Sequence, residues 1–201
     1  MNEALFEFPV SQRIVVADAN VLFSRVLRDY LLYATSQEIV NIVWSTEIIG
    51  EAAEHMMKRV AGFDQVAADR LVALIDAAYP ASLIDPGPED FQKLEGLELP
   101  DEDDRHVIAT ALAAEADAIC TNDKTGFPSE VLGAFGIEVV TADAPIHQLI
   151  ERYPQAMLTV HLTAVRSLRG ATDQSTLAAL RRAKAPRTAE AMTRLLEIDL
   201  A

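Results

Sequence analysis

Short apolar runs alternate with stretches of helical period along most of this chain. "RIVVAD" (13–18) is a β-branched run bounded by polar residues, the pattern of a buried strand. Residues 20–36 then carry Val21, Leu22, Leu27, Leu31 and Leu32 at helical spacings. "IVNIVW" (39–44) repeats the strand pattern, and Ser45 or Thr46 is placed to cap a helix running to Gly62. A further helix is predicted from about Asp64 to Tyr79, then a short strand and turn in "ASLIDPGP", and a short helix over 89–95 after Pro88. "LPDEDDRHVIATALAAEAD" is the clearest helix start: a proline, four acids, then an alanine-rich apolar run. "AICTND" (118–123) and "IEVVTAD" (137–143) read as strands, with "SEVLGAFG" a short helix between them and another helix over 145–153.

Strands alternating with helices from 13 to about 150 predict an α/β fold, a parallel sheet wrapped by helices. After Pro154 the strand signals stop. Two or three helices are expected there, divided at Gly170 and Pro186. The expected organisation is a domain over 1–150 followed by a small helical extension over 151–201.

Composition refines this picture. At 201 residues and 50% hydrophobic, the chain has enough apolar side chains for a sizeable core; a chain of this length buries roughly 70% of its unfolded surface. The single cysteine, Cys120, excludes an internal disulfide framework. No run of about 18 apolar residues suggests a membrane span, and "MNEALFEFPVSQR" lacks the basic start and apolar centre of a signal peptide. A cytoplasmic protein is the expectation. The net charge of −14 repels polyanions at long range and argues, by itself, against a nucleic-acid binder. A cation held among the acids reverses the local sign. The segment 155–201 has the opposite balance, seven basic residues against four acids. Arg181, Arg182, Lys184 and Arg187 form a basic cluster there, suited either to steering RNA or to an ordinary solvated face.

Parallel α/β sheets gather functional groups at the carboxyl ends of their strands. That rule brings Asp18, Glu47, Asp101, Asp104 and Asp123 to one rim from four segments. Mutually repelling carboxylates in one place call for a cation, and oxygen-only donors suit Mg²⁺ or Mn²⁺. No His/Cys cluster has zinc spacing. Each acid also has an ordinary reading. Asp18 is placed to cap the next helix, Glu47 to favour a helix N-terminus by its charge, and Asp123 to serve a turn in "TNDKTG". Four acids in succession over 101–104 exceed what a cap needs. His106, beside this acidic turn, suits either a supporting role or a contact with substrate phosphate.

"VVADANVLFS", "STEII", "LPDEDDRHVIATALAAEADAICTND" and the following "FP" resemble the PIN domain family, and within it the VapC-like toxins of bacterial toxin–antitoxin pairs. The resemblance spans 13 to about 145. It implies a three-layer α/β/α domain in which Asp18, Glu47, Asp104 and Asp123 are the catalytic acids. Asp18, Asp101, Asp104 and Asp123 would ligate metal, with Asn20 and Thr121 as polar support. In many relatives with this helix, the segment after the fourth strand reads Thr-Phe-Asn-x-x-Asp-Phe-Pro. Here "TNDKTGFP" puts Asp123 at the Asn and Gly126 at the Asp. The resemblance further implies Mg²⁺-dependent hydrolysis of RNA phosphodiester bonds, inhibition by a cognate antitoxin protein, and a homodimer. Met56 and Met57 offer a plastic apolar surface for such a partner, or core packing.

Rival enzymes lack their required residues. An aspartyl phosphatase needs a second Asp two positions after Asp18, where Asn20 stands, and no G-x-x-x-x-G-K-[ST] loop occurs. A receiver domain needs an Asp on a middle strand that "IVNIVWS" does not supply. The alternative from another class is a non-catalytic PIN-like scaffold that binds protein.

Overall fold

The computed structural model describes residues 13–199. The N-terminal segment on which the signal-peptide expectation rests lies almost wholly outside them.

Strand β1 (Ile14–Ala17) enters the core with three of its four residues buried, and its chain then turns into α1 (Ala19–Phe23). The single helix expected over 20–36 is two. Ser24 takes an extended backbone, φ −74° and ψ 107°, which separates α1 from α2 (Arg25–Ser36). β2 (Asn41–Val43) follows, then α3 (Thr46–Arg59), whose first turn is closed by Ser45 Oγ accepting from the Ile48 amide at 3.3 Å. α4 (Gln65–Ala78) is capped in the same way by Asp64, which accepts from the Ala67 amide at 2.9 Å. The chain passes back beside Trp44, which pairs with Leu83 in a parallel bridge, and reaches α5 (Pro88–Gln92). A 3-10 turn, Glu102–Asp104, leads into α6 (Arg105–Ala113), and β3 (Ala118–Cys120) follows. α7 (Ser129–Ala134), β4 (Glu138–Val140) and α8 (Asp143–Arg152) complete the alternating part.

The four strands form one parallel sheet in the order β2-β1-β3-β4, flanked by helices. β1 is central, with Val15 beside Ile42 on one side and Ala118 on the other. This is the expected α/β architecture. Its order makes neighbours of β1 and β3, so the residues that follow them, Asp18 and Thr121, emerge side by side at the carboxyl edge.

Three helices follow: α9 (Pro154–Arg166), α10 (Asp173–Arg182) and α11 (Pro186–Asp199). The expected boundary at 150/151 falls in the last turn of α8. The apolar faces of these helices, including Met157, Val160, Leu180 and Met192, join the same hydrophobic cluster as the sheet. Polar ties fix them further. Asp143, at the start of α8, accepts from the Arg187 and Thr188 amides at 3.2 and 2.8 Å and so caps α11. His161 on α9 bonds the Tyr30 hydroxyl of α2 through Nδ1 at 2.5 Å and Asp173 of α10 through Nε2 at 3.2 Å. Among the described residues no helix is long and apolar enough to cross a membrane.

Candidate metal centre

Asp18 is the most constrained acid of the group. Its carbonyl accepts the first amides of α1, from Val21 and Leu22, while its side chain makes no cap bond. The helix-cap reading therefore does not account for the carboxylate. Oδ2 instead accepts from Thr121 Oγ1 at 2.6 Å and from the Asn20 side-chain Nδ2. Asn20 also donates to Thr121 Oγ1 at 2.8 Å and accepts from the Asn122 amide at 3.0 Å, which locks the end of β3 to the start of α1. Asp18 is 6% exposed, and burial pushes its pKa up against the opposing Thr121 bond. A carboxylate held this deep costs free energy unless a positive partner offsets it.

Asp104 sits at the N-cap of α6, again without a side-chain cap bond. Burial, followed by the charges of Asp18 and Asp101, raises it to about 6. Its carboxyl lies against the backbone of Gly126. A Cβ at that glycine would land on Oδ2 and stand 2.7 Å from Cγ. The glycine that departs from the familiar pattern is thus what lets Asp104 occupy its place.

Asp101 is exposed and caps the 3-10 turn, accepting from the Asp103 amide at 3.0 Å. Asp123 is exposed as well. Its Oδ1 accepts from the Thr125 hydroxyl at 2.6 Å and amide at 3.1 Å, and these bonds hold its pKa below the ordinary value. Both carboxylates do turn chemistry and yet face the same cavity.

That cavity, about 330 Å³, is lined by Asp18, Asn20, Glu51, Asp101, Asp104 and Asp123 among others. Glu47 is not among its lining residues. The Glu47 side chain is 62% exposed and lies 3.9 Å from His106 Nδ1. Glu51, one turn later on α3, takes the place at the cavity wall and stands 3.5 Å from His106 Nε2. Sequence reasoning missed Glu51 because it looked for acids in the first turn after a strand. The i,i+4 spacing of Glu47 and Glu51 on one helix face was the available signal. His106 is buried, with Nδ1 bonded to the Asp103 carbonyl at 2.7 Å. Burial alone would lower its pKa, but Glu51, Glu47 and that carbonyl outweigh burial and raise it. A histidine that favours its charged form buttresses the acidic wall from behind.

The donor chemistry fits a hard divalent cation: the wall carries several carboxylates and no thiolate, with a single imidazole, His55, among its lining residues, while His106 behind Glu51 is bonded to backbone. The fit is one of donor type and location. Among the described residues no group of three or more His, Cys, Asp and Glu side chains is already arranged to hold a metal ion.

No curated protein and no solved structure matches the chain. The sequence profile of the PIN domain matches residues 14–125, which run from the first residue of β1 to the threonine that anchors Asp123. That span covers more than half of the chain and contains Asp18, Glu51, Asp101, Asp104 and Asp123. The chain belongs to the PIN domain family, a family of nuclease-type fold.

Proposed function

We propose that this protein is a Mg²⁺-dependent endoribonuclease whose working carboxylates are Asp18, Glu51, Asp104 and Asp101, with Asp123 at the rim. The observation that supports it most is the convergence of these acids, from β1, α3, the segment before α6 and the segment after β3, on one cavity at the carboxyl edge of the sheet. Asp18 and Asp104 are the principal candidates to hold the cation, with Mn²⁺ as the alternative ion. When bound, such a cation supplies a Lewis acid that activates water and offsets charge on the phosphate. Thr121 and Asn20 hold the Asp18 carboxylate in a fixed orientation. Asp104, on the cavity wall with Asp18, is suited to orient the attacking water. His106 keeps Glu51 oriented at the wall.

The finer reading is a VapC-like toxin, held in check by an antitoxin protein and acting as a homodimer in the cytoplasm. It rests on the resemblance of "LPDEDDRHVIATALAAEADAICTND" and its flanking motifs. The scaffold alternative is weakened by Asp18, a buried carboxylate that neither caps a helix nor pairs with a base.

The test is cleavage of a mixed single-stranded RNA pool with and without Mg²⁺, for wild type, Asp18→Asn, Glu51→Gln and Glu47→Gln. Cleavage that requires Mg²⁺, is lost in the first two variants and survives in Glu47→Gln is the expected result. Cleavage that is equal in all four proteins overturns the proposal.

A further inference from the structure

A larger cavity, about 640 Å³, opens beside the acidic one and shares Asn20 and Asp123 with it. This volume lies in the range of roughly 300–1,000 Å³ usual for small-ligand sites. One wall comes from α1 and α2, with Phe23, Arg25 and Val26; the other comes from the C-terminal helices, with Leu168, Ala179 and Arg182. Four cations line it, Arg25, Arg59, Arg182 and Lys184, against two acids, Asp29 and Asp123. In a chain of net charge −14 that local excess is a reversal of sign. The floor is apolar and aromatic. The Arg59 guanidinium carbon lies 6.0 Å from the Phe23 ring centroid, and Leu168 is 43% exposed.

We infer that this groove is the site where single-stranded RNA is held next to the cutting site, with a base against the Phe23–Leu168 floor and phosphates on Arg182 and Lys184. The inference rests on the nuclease reading for its choice of ligand. Two observations favour RNA over a protein segment. The groove shares Asn20 and Asp123 with the acidic cavity, so a strand lying in it reaches that cavity's edge. An apolar floor rimmed by cations also matches the alternation of base and phosphate, since stacking and phosphate contacts together hold single strands. Lys184 sits at the junction. Its charge acts on the Asp123 carboxylate, and its φ of +62° ends α10 in the left-handed region where glycine is the easier residue. Residues beyond the matched span, 14–125, thereby supply half of the substrate site.

The experiment is binding of a fluorescent single-stranded RNA oligonucleotide in EDTA, so that affinity is read without cleavage. Wild type is compared with Arg182→Glu/Lys184→Glu, with Ala179→Trp, which fills the groove without changing charge, and with Lys184→Gly. The expected result is roughly tenfold weaker binding for the double variant, with a flatter salt dependence, and weaker binding for Ala179→Trp. Lys184→Gly removes a cation while relieving the backbone, so it should bind more weakly with an undiminished melting temperature; it serves as the test if the other variants fold poorly. Equal affinity in all four proteins, or no RNA binding by wild type at low salt, overturns the inference. RNA that binds through the groove but is never cut with Mg²⁺ upholds this inference and sinks the nuclease proposal. Mg²⁺-dependent cutting unaffected by the groove variants does the opposite.

Discussion

The two cavities that meet at Asn20 and Asp123 carry opposite charge and are built in opposite ways. In the acidic one, the decisive group is buried: Asp18 is locked by Thr121 and Asn20 at the junction of two strands. In the basic one, Arg25, Arg59 and Arg182 are exposed on helices and Lys184 is exposed in the turn after α10. A buried carboxylate is costly and has to be sustained by its surroundings, so its presence is itself an argument for a function. An exposed arginine costs almost nothing, so only its position beside the acidic cavity gives it meaning. The acidic site is therefore expected to fail steeply under small changes, and the basic groove to fail gradually.

The steepest effect is expected for Asp18→Asn. The shape survives, but a charge that the proposed cation site requires is gone, and Mg²⁺-dependent RNA cleavage should fall by at least about 100-fold. A rate assay at saturating Mg²⁺ checks this, and activity within a few-fold of wild type would remove Asp18 from the centre. Gly126→Ala comes next. Its added methyl occupies the position of the Asp104 carboxyl, so Asp104 must swing away, and a loss of roughly 10–100-fold is expected. The glycine carries no positive φ, so a crystal structure of the variant should show a moved Asp104 over an unstrained backbone.

Thr121→Val should act through orientation. It removes the 2.6 Å bond to Asp18, and a loss of metal affinity of about 10–100-fold is typical when a ligand loses such a support. Calorimetric titration with Mn²⁺ measures it; affinity equal to wild type would mean that Asn20 alone suffices.

A smaller effect is expected from pH. Asp104 is raised to about 6 from an ordinary 3.8. Between those values the folded protein binds more protons than the unfolded chain. The metal-free protein therefore gains stability from this group at low pH and loses it as pH rises through about 6. Divalent cations need the ionised form, so the rise in Tm on adding Mg²⁺ should be larger at pH 7 than at pH 5, and the difference should shrink in Asp104→Asn. A Mg²⁺ effect independent of pH would contradict the assignment. On the helical side, Asp143→Ala removes the cap of α11, with an expected cost of about 1–2 kcal/mol and an unchanged Mn²⁺ affinity.

The sheet was legible because its strands are nearly wholly apolar runs, such as "IVVA" and "AIC", bounded by polar residues. The placement of Asp18 and Asp104 at the acidic cavity was legible because each stands at a place that chain order alone defines, a strand end and a helix start. Three features were not. The break at Ser24 depends on how α1 and α2 pack, and nothing in "NVLFSRVL" interrupts the helical period. That Glu51 rather than Glu47 lines the cavity is set by the tertiary placement of α3, and both acids satisfy the same periodic pattern. The basic groove arises only when α10 folds back against α2 through contacts distant in sequence, so the cluster at 181–187 read equally as a solvated face.

The most direct test of the central claim is Mn²⁺ binding followed by isothermal titration calorimetry on wild type, Asp18→Asn, Asp104→Asn and Glu47→Gln. Saturable binding in wild type and Glu47→Gln, with loss in both Asp variants, is the predicted result. Binding that is identical in all four proteins, or absent from wild type, would contradict a carboxylate metal centre at the carboxyl edge of this sheet.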